Sequence, residues 1–228
     1  MDTLSALLPN FQRLRMLTRE LRTISLTRAL QYEVISKYLL KGDVLDFGGG
    51  EKTLYKQRLN CTNYKSINID PNILPTWISS VGEPFPCQNE SFDTVLSMNT
   101  LEHIFDPIWE VSEMFRVLLK NGELILSVPF LFPIHGHPDD YFRPTPSWYR
   151  QALAQAGFKN VEIIPLSWGP FSVSFTCSGL PGPFKFVRKY WALVLDLIYY
   201  NIYIKRKIGT TDEYLTRFAT AFFVRAVK

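Results

Sequence analysis

Two acids stand towards the ends of short strand-like segments, each followed by residues that turn the backbone. Asp46 sits between Val44-Leu45 and Phe47, just ahead of Gly48, Gly49 and Gly50. Asp70 closes Tyr64–Asp70 (YKSINID) and precedes Pro71 and Asn72. Glycines let a backbone approach a bound molecule with no Cβ in the way. A carboxylate beside them suits a ligand with a cationic or hydrogen-bond-donating group, and Glu51 at the loop mouth would repel a diphosphate. The loop has neither the G-x-G-x-x-G spacing of dinucleotide sites nor the G-x-x-x-x-G-K-[ST] spacing of phosphate loops, because Thr53 stands at the third dinucleotide position. An acid about 20 residues beyond such a turn is placed to bond ribose hydroxyls. Plain turn chemistry is the competing reading of Asp70-Pro71-Asn72.

Two later stretches bring titratable groups past strand ends. Met98, Asn99 and Thr100 follow the strand-like segment Ser91–Ser97 and lead to His103, whose imidazole titrates near neutral pH. His103 reads either as a general base or as a residue that orders its loop. Phe130–Pro146 (FLFPIHGHPDDYFRPTP) gathers His135, His137, Asp139, Asp140, Tyr141 and Arg143 among prolines that fix the chain. Loops on a rigid α/β scaffold are where binding and catalytic groups collect. Its histidines and aspartates are suitable metal ligands, but H-G-H-P-D-D has no metal spacing signature, so no metal is expected. An Asp140–Arg143 ion pair that locks the loop is the structural alternative to a catalytic Asp140.

These residues need elements to hold them. Residues 1–41 read as helical, with Leu14, Leu17, Leu21 and Ile24 at helical spacing and a basic face of Arg13, Arg15, Arg19, Arg22 and Arg28. Strands are expected at Asp43–Phe47, Tyr64–Asp70, Thr76–Ser80, Ser91–Ser97, Leu124–Pro129, Phe158–Leu166 and Phe218–Val227. Helices are expected at Glu51–Leu59, Pro107–Leu119 and Pro146–Ala156, the last stopped by Gly157. Apolar strands alternating with helices describe an α/β fold with ligands at the carboxyl ends of its strands.

Val44-Leu45-Asp46, Gly48 and Gly50 resemble the first motif, VLDxGxGxG, of the class I S-adenosylmethionine-dependent methyltransferases, with Lys52 where the last glycine often stands. Asp70 matches that family's second motif. Phe92–Pro107 resembles its FDxVxSxxxLEHxxDP stretch, and Arg116–Leu124 keeps RVLxPGGxL with Asn121-Gly122 for the usual Gly-Gly. His135–Thr145 resembles the H-x-x-P-x-D-Y-x-R-x-T stretch of a subgroup associated with sugar and cell-surface polysaccharide synthesis. The resemblance implies a Rossmann-like class I methyltransferase fold. Its sheet would be seven-stranded and mostly parallel, with the last strand antiparallel beside the fifth and helices on both faces. It implies S-adenosylmethionine held by Asp46, Phe47, Gly48, Gly49, Gly50, Asp70, Pro71, Met98, Asn99 and Thr100. On the acceptor side it implies His103, His137, Tyr141 and Arg143, with His135 the first choice of general base and Asp140 the second. The activity implied is methyl transfer to a small or lipid-linked glycan acceptor at a sugar hydroxyl. A non-catalytic S-adenosylmethionine-binding scaffold is the alternative of a different class, and nicotinamide-dependent oxidoreduction is disfavoured by the missing third glycine.

The 228 residues suit a single methyltransferase domain over 1–228: an extension 1–41, a core 42–166, an insertion 167–215 and the last strand 216–228. With 46% hydrophobic and 20% charged residues a core can be built. A net charge of +4 is modest, and no nucleic-acid partner is expected. The three cysteines, Cys61, Cys87 and Cys177, are far apart, which favours a reducing compartment. With no signal-peptide pattern in Leu4–Leu8, the expected location is cytoplasmic. In the insertion, Tyr190–Ile204 (YWALVLDLIYYNIYI) is apolar apart from Asp196 and Asn201, and basic residues flank it. It is too short to span a bilayer, for which about 20 residues are needed. A lid, a dimer face and a peripheral contact of 184–207 with the inner membrane face are its three readings. The oligomeric state is open.

Overall fold

The computed structural model describes residues 7–136, 139–179, 183–206 and 211–228. Helices α1 (Phe11–Glu20) and α2 (Leu26–Lys37) precede strand β1 (Asp43–Phe47). Then come β2 (Asn63–Asn68), β3 (Trp77–Ile78), β4 (Phe92–Met98), α3 (Ile108–Val117) and β5 (Leu118–Pro129). After these follow α4 (Pro146–Ala156), β6 (Lys159–Leu166), α5 (Pro170–Ser178), α6 (Lys185–Tyr199), α7 (Thr211–Arg217) and β7 (Ala221–Val227). The strands form one sheet in the order β3-β2-β1-β4-β5-β7-β6.

β1 pairs in parallel with β2 on one side and with β4 on the other, and β4 pairs in parallel with β5. The chain leaves β1 in one direction and returns on its other side at β4, which makes their carboxyl ends the topological switch point. β7 runs antiparallel to β5: Asn121 and Gly122 bond Lys228 at one end, and the Phe130 N–H bonds the Thr220 carbonyl at the other. The sheet is therefore the expected one, a Rossmann-like α/β arrangement with its last strand reversed.

The chain divides into two compact units. The larger comprises Val34–Val128, His135–Ile163 and Phe223–Lys228. Its core is built from strand residues apolar on both faces, Val44, Leu45, Val95, Leu96, Ile125 and Leu126, with Val111, Met114 and Val117 of α3 and Leu153 of α4. α4 starts where Thr145 accepts from the Trp148 N–H with Pro146 at the first turn, and stops at Gly157, whose φ of 102° suits glycine.

The smaller unit comprises Met1–Glu33, Pro129–Ile134 and Ile164–Phe222, of which residues 1–6 lie outside those described. Here Leu14, Leu17, Leu30, Trp168 and Leu193 are buried. Arg13 is buried too, unlike its neighbours on the basic face. Its guanidinium lies 2.8 Å from Glu33 and over the Trp168 ring, so it belongs to the core. Asp196, the acid that interrupts the apolar run of α6, accepts from the backbone N–H groups of Phe171 and Ser172 at 2.9 and 2.8 Å. It caps the start of α5, which needs acceptors for its first N–H groups. Among the described residues no helix is long and apolar enough to cross a membrane.

One expected element does not form. Glu51–Leu59 holds only a short 3₁₀ turn, Lys56–Arg58. The N–H groups of Glu51 and Lys52 bond the carbonyls of Leu74 and Ile73, so the glycine loop is tied to the turn after β2 rather than opening a helix. β5 begins earlier than expected because Leu118 already pairs with Phe92, ahead of a register shift in β4.

Candidate active site

Asp46 is fully buried at the end of β1, between Ser66 of β2 and Leu96 of β4. Its Oδ2 accepts from the hydroxyls of Tyr55 at 2.8 Å and Tyr64 at 2.7 Å. Among the described residues its Oδ1 has no hydrogen-bond partner. Burial pushes the carboxyl up to about 7, against the opposing pull of the two tyrosine hydroxyls and Lys56. The glycines above it are required by space. A Cβ at Gly48 would collide with Thr100, one at Gly49 with the Asp46 carboxylate, and one at Gly50 with the Ile73 carbonyl. Phe47 stacks on Phe85 with ring centroids 4.9 Å apart.

Asp70 caps the 3₁₀ turn Pro71–Ile73, accepting from the backbone and side-chain nitrogens of Asn72 at 2.9 and 2.8 Å. Both bonds fall on Oδ1. The neighbouring Asn68 side chain donates to the Gly48 carbonyl at 2.6 Å, which joins the ends of β1 and β2. Met98 is buried at the end of β4, Asn99 takes a left-handed φ of 55°, and Thr100 packs on Gly48. Asp46, the glycines, Asp70, Pro71, Met98, Asn99 and Thr100 thus stand together at the carboxyl ends of β1, β2 and β4.

A second cluster lies beside them. His103 ends the short 3₁₀ segment Leu101–His103, and its Nδ1 lies 2.5 Å from the Asp139 carbonyl. A carbonyl only accepts, so this nitrogen carries the proton in the neutral ring. The His135 ring meets it edge-on at 5.3 Å. Asp140 fixes His135 twice, through the backbone N–H at 2.9 Å and Nδ1 at 3.3 Å. Arg143 pairs both oxygens of Asp140, one at 2.5 Å. These bonds, Arg143 foremost, hold the Asp140 carboxyl at about 2 despite its burial. A carboxylate so committed is a poor base, and its geometry is that of the loop lock. Tyr141 reaches into the cluster by its backbone, donating to the Glu102 carbonyl at 2.8 Å, and its ring faces Phe105. His137 lies outside the described residues.

Three groups escaped the sequence reading. Tyr55 and Tyr64 hold Asp46 but sit in no motif that names them. Glu102 is buried beside His103, its Oε1 3.8 Å from Nε2. The signal for it was a charged residue between Leu101 and His103, in a segment closed on both sides by apolar residues. Glu113 and Arg116 of α3 pin the loop before β4: Glu113 accepts from the Phe85 N–H at 2.8 Å, and Arg116 donates to the carbonyls of Phe85 and Cys87.

An acid under a glycine loop at the switch point, with a second acid beyond the next strand, is the arrangement expected of a class I S-adenosylmethionine-dependent methyltransferase. The family model described as "Methyltransferase domain" matches residues 26–163, more than half of the chain, and the chain belongs to that family. A curated relative from Pseudomonas savastanoi pv. phaseolicola, named tRNA U34 carboxymethyltransferase, is 27% identical over 198 residues, covering 65% of this chain and 62% of the relative. One from Ectopseudomonas mendocina with the same name is 27% identical over 154 residues, covering 54% and 47%. The chain thus spans about half the length of the curated relatives it matches. Among solved structures, a possible histamine N-methyltransferase of Thermotoga maritima aligns at a TM-score of 0.57 and 15% identity, covering 94% of this chain and 97% of that one. A chain of the Haloferax volcanii complex between the Trm112 methyltransferase activator and a methyltransferase aligns at 0.56 and 16%, covering 95% and 93%.

These relatives correct the partner expectation. They are named for tRNA, not for glycans, which overturns both the exclusion of nucleic acid and the small-molecule or lipid-linked glycan acceptor. They give the loop His135–Thr145 no polysaccharide association. The peripheral membrane contact expected of 184–207 finds no support: of the two polar residues in its apolar run, Asp196 is an internal helix cap, and residue 207 lies outside those described.

Proposed function

We propose that this chain transfers the methyl group of S-adenosylmethionine to a nucleotide of an RNA acceptor. The observation that carries the reading is that the matched curated relatives are named as tRNA enzymes. A groove of about 450 Å³ in the smaller unit supports it, lined by Arg15, Arg19 and Arg22 with Phe11 and Tyr190. All three arginines are exposed, and Phe11 is 76% exposed. Guanidinium groups beside open aromatic faces are what single-stranded RNA needs, cations for its phosphates and rings for its bases.

On this reading Asp46, Phe47, Gly48, Gly49 and Gly50 would hold the cofactor with Asp70, Pro71, Met98, Asn99 and Thr100. The residues fit it: Asp46 offers a buried oxygen without a partner among the described residues, and the glycine loop has no room for a Cβ. Bound S-adenosylmethionine supplies a methyl group already activated by its sulfonium. The chain's own work is then to align donor and acceptor, with proton removal secondary. Acceptor contacts fall to the cluster of His103, His135, Tyr141 and Arg143.

The test is incubation with S-adenosylmethionine tritiated on its methyl group and deproteinised total tRNA. Ribonuclease-sensitive label is the expected result. Protein that binds S-adenosylmethionine but labels no RNA would remove the RNA reading and leave the family intact.

A further inference from the structure

We propose that Glu102, His103 and His135 form a binding site for one divalent first-row metal ion. A carboxylate oxygen of Glu102 and one ring nitrogen from each histidine all lie within 4.8 Å of one another. This is a two-histidine, one-carboxylate set, the donor combination that holds zinc or a neighbouring divalent ion while leaving coordination positions open.

Three further observations point to a built site. Each histidine is oriented through Nδ1, His103 by the Asp139 carbonyl at 2.5 Å and His135 by the Asp140 carboxylate at 3.3 Å. Metal-binding histidines are characteristically held in this way, by a carbonyl or carboxylate that fixes the ring and its tautomer. The Asp140 carboxylate is in turn clamped by Arg143. Glu102 has no solvent exposure, and its Oε1 lies 3.8 Å from the Nε2 of His103. Finally, the two rings come from different parts of the chain, the turn after β4 and the loop after β5, and the Tyr141 N–H to Glu102 carbonyl bond ties those parts together. The ligands are therefore brought together by the fold itself, which is why spacing within H-G-H-P-D-D gave no signature.

The ion's open positions would take an oxygen of the acceptor. That role rests on the RNA reading above, whereas ion binding itself does not. With the ion in place His135 is a ligand, and transfer does not require it as a proton acceptor.

The experiment uses the full chain freed of metal by a chelator, without S-adenosylmethionine or RNA, titrated with Zn²⁺ in a calorimeter. One equivalent bound is expected, with affinity reduced more than about tenfold in His103→Ala, His135→Ala and Glu102→Gln. Thermal melting of each variant without metal checks its fold. Should the variants unfold, the wild type decides alone: one equivalent of Zn²⁺ should protect both His103 and His135 from diethyl pyrocarbonate, read by peptide mass spectrometry. Co²⁺ in the same site should show ligand-field bands with no thiolate charge-transfer band, which separates it from binding at Cys61, Cys87 or Cys177. No binding, binding untouched by all three substitutions, unprotected histidines or a thiolate spectrum would each overturn the proposal. Metal binding without RNA labelling would keep the site and remove only the acceptor reading.

Discussion

Tyr64 donates its hydroxyl to Oδ2 of Asp46 at 2.7 Å, from β2 to the end of the adjacent β1. The bond ties the buried acid to the strand that leads to Asp70. Asp46 titrates at about 7 because burial outweighs this bond and that of Tyr55. A carboxyl raised above its unfolded value binds more protons in the native state. Its effect on stability is therefore most favourable below about pH 4 and is lost as pH rises towards 7. Urea unfolding of wild type and Asp46→Asn should diverge over that window, with the variant gaining about 2–4 kcal/mol relative to wild type between pH 4 and 7.5. Parallel curves would mean that Asp46 is ionised throughout. Tyr64→Phe should cost about 1 kcal/mol and move the window upward.

Asp70→Ala separates the ribose role from the turn role. As a cap, Asp70 is worth about 1 kcal/mol, so the variant should stay folded. As a ribose ligand it should weaken S-adenosylmethionine and S-adenosylhomocysteine binding more than about tenfold, since a hydrogen bond to a charged group is worth about 1.5–3 kcal/mol. Calorimetry on both ligands reads this directly. Unchanged affinity would leave Asp70 with turn chemistry alone.

The strands, their order of use and the switch-point site were legible because buried parallel strands write themselves as apolar runs such as Val44-Leu45 and Leu124–Leu126. α4 was legible to the residue because Thr145, Pro146 and Gly157 are strong local signals. The segment Glu51–Leu59 was not, because its conformation is decided by Ile73 and Leu74, whose carbonyls take the N–H groups a helix would have used. The same holds for Tyr55, Tyr64 and Glu102. Their partners are distant in sequence, and no short-range pattern marks a hydroxyl that will find a buried acid. Arg13 counted as one of five basic residues on a helix, and only the fold shows that it pairs with Glu33 in the interior.

Arg143→Ala should be among the most damaging single changes in the larger unit. It leaves the Asp140 carboxylate, 3% exposed, without its main cation. Breaking such a pair costs about 3 kcal/mol. Because the Asp140 carboxyl is held at about 2, its stabilisation is complete above its unfolded value of about 4 and is lost as pH falls towards 2. Wild type should therefore lose stability between pH 4 and 2 more steeply than Arg143→Ala, as followed by thermal melting. Arg143→Lys should restore part of the difference, since it keeps the charge but not the paired geometry. Coincident acid limbs would show that the pair contributes nothing.

Arg19→Glu combined with Arg22→Glu tests the groove against the cluster. Both residues are exposed, and both line the groove with Phe11 and Tyr190. Neither belongs to the larger unit that carries the proposed cofactor residues, so S-adenosylmethionine affinity should not change. RNA affinity at low salt should fall about tenfold or more. The slope of log K against log salt should become shallower by about 0.7 for each phosphate of a single strand that the protein no longer neutralises. Phe11→Ala should also weaken binding but leave the slope intact, because a stacked base releases no counterion. A fluorescence-anisotropy titration with a labelled tRNA at several salt concentrations distinguishes the two effects. Equal slopes for wild type and the double variant would exclude the arginines from the RNA path, even if transfer activity survives.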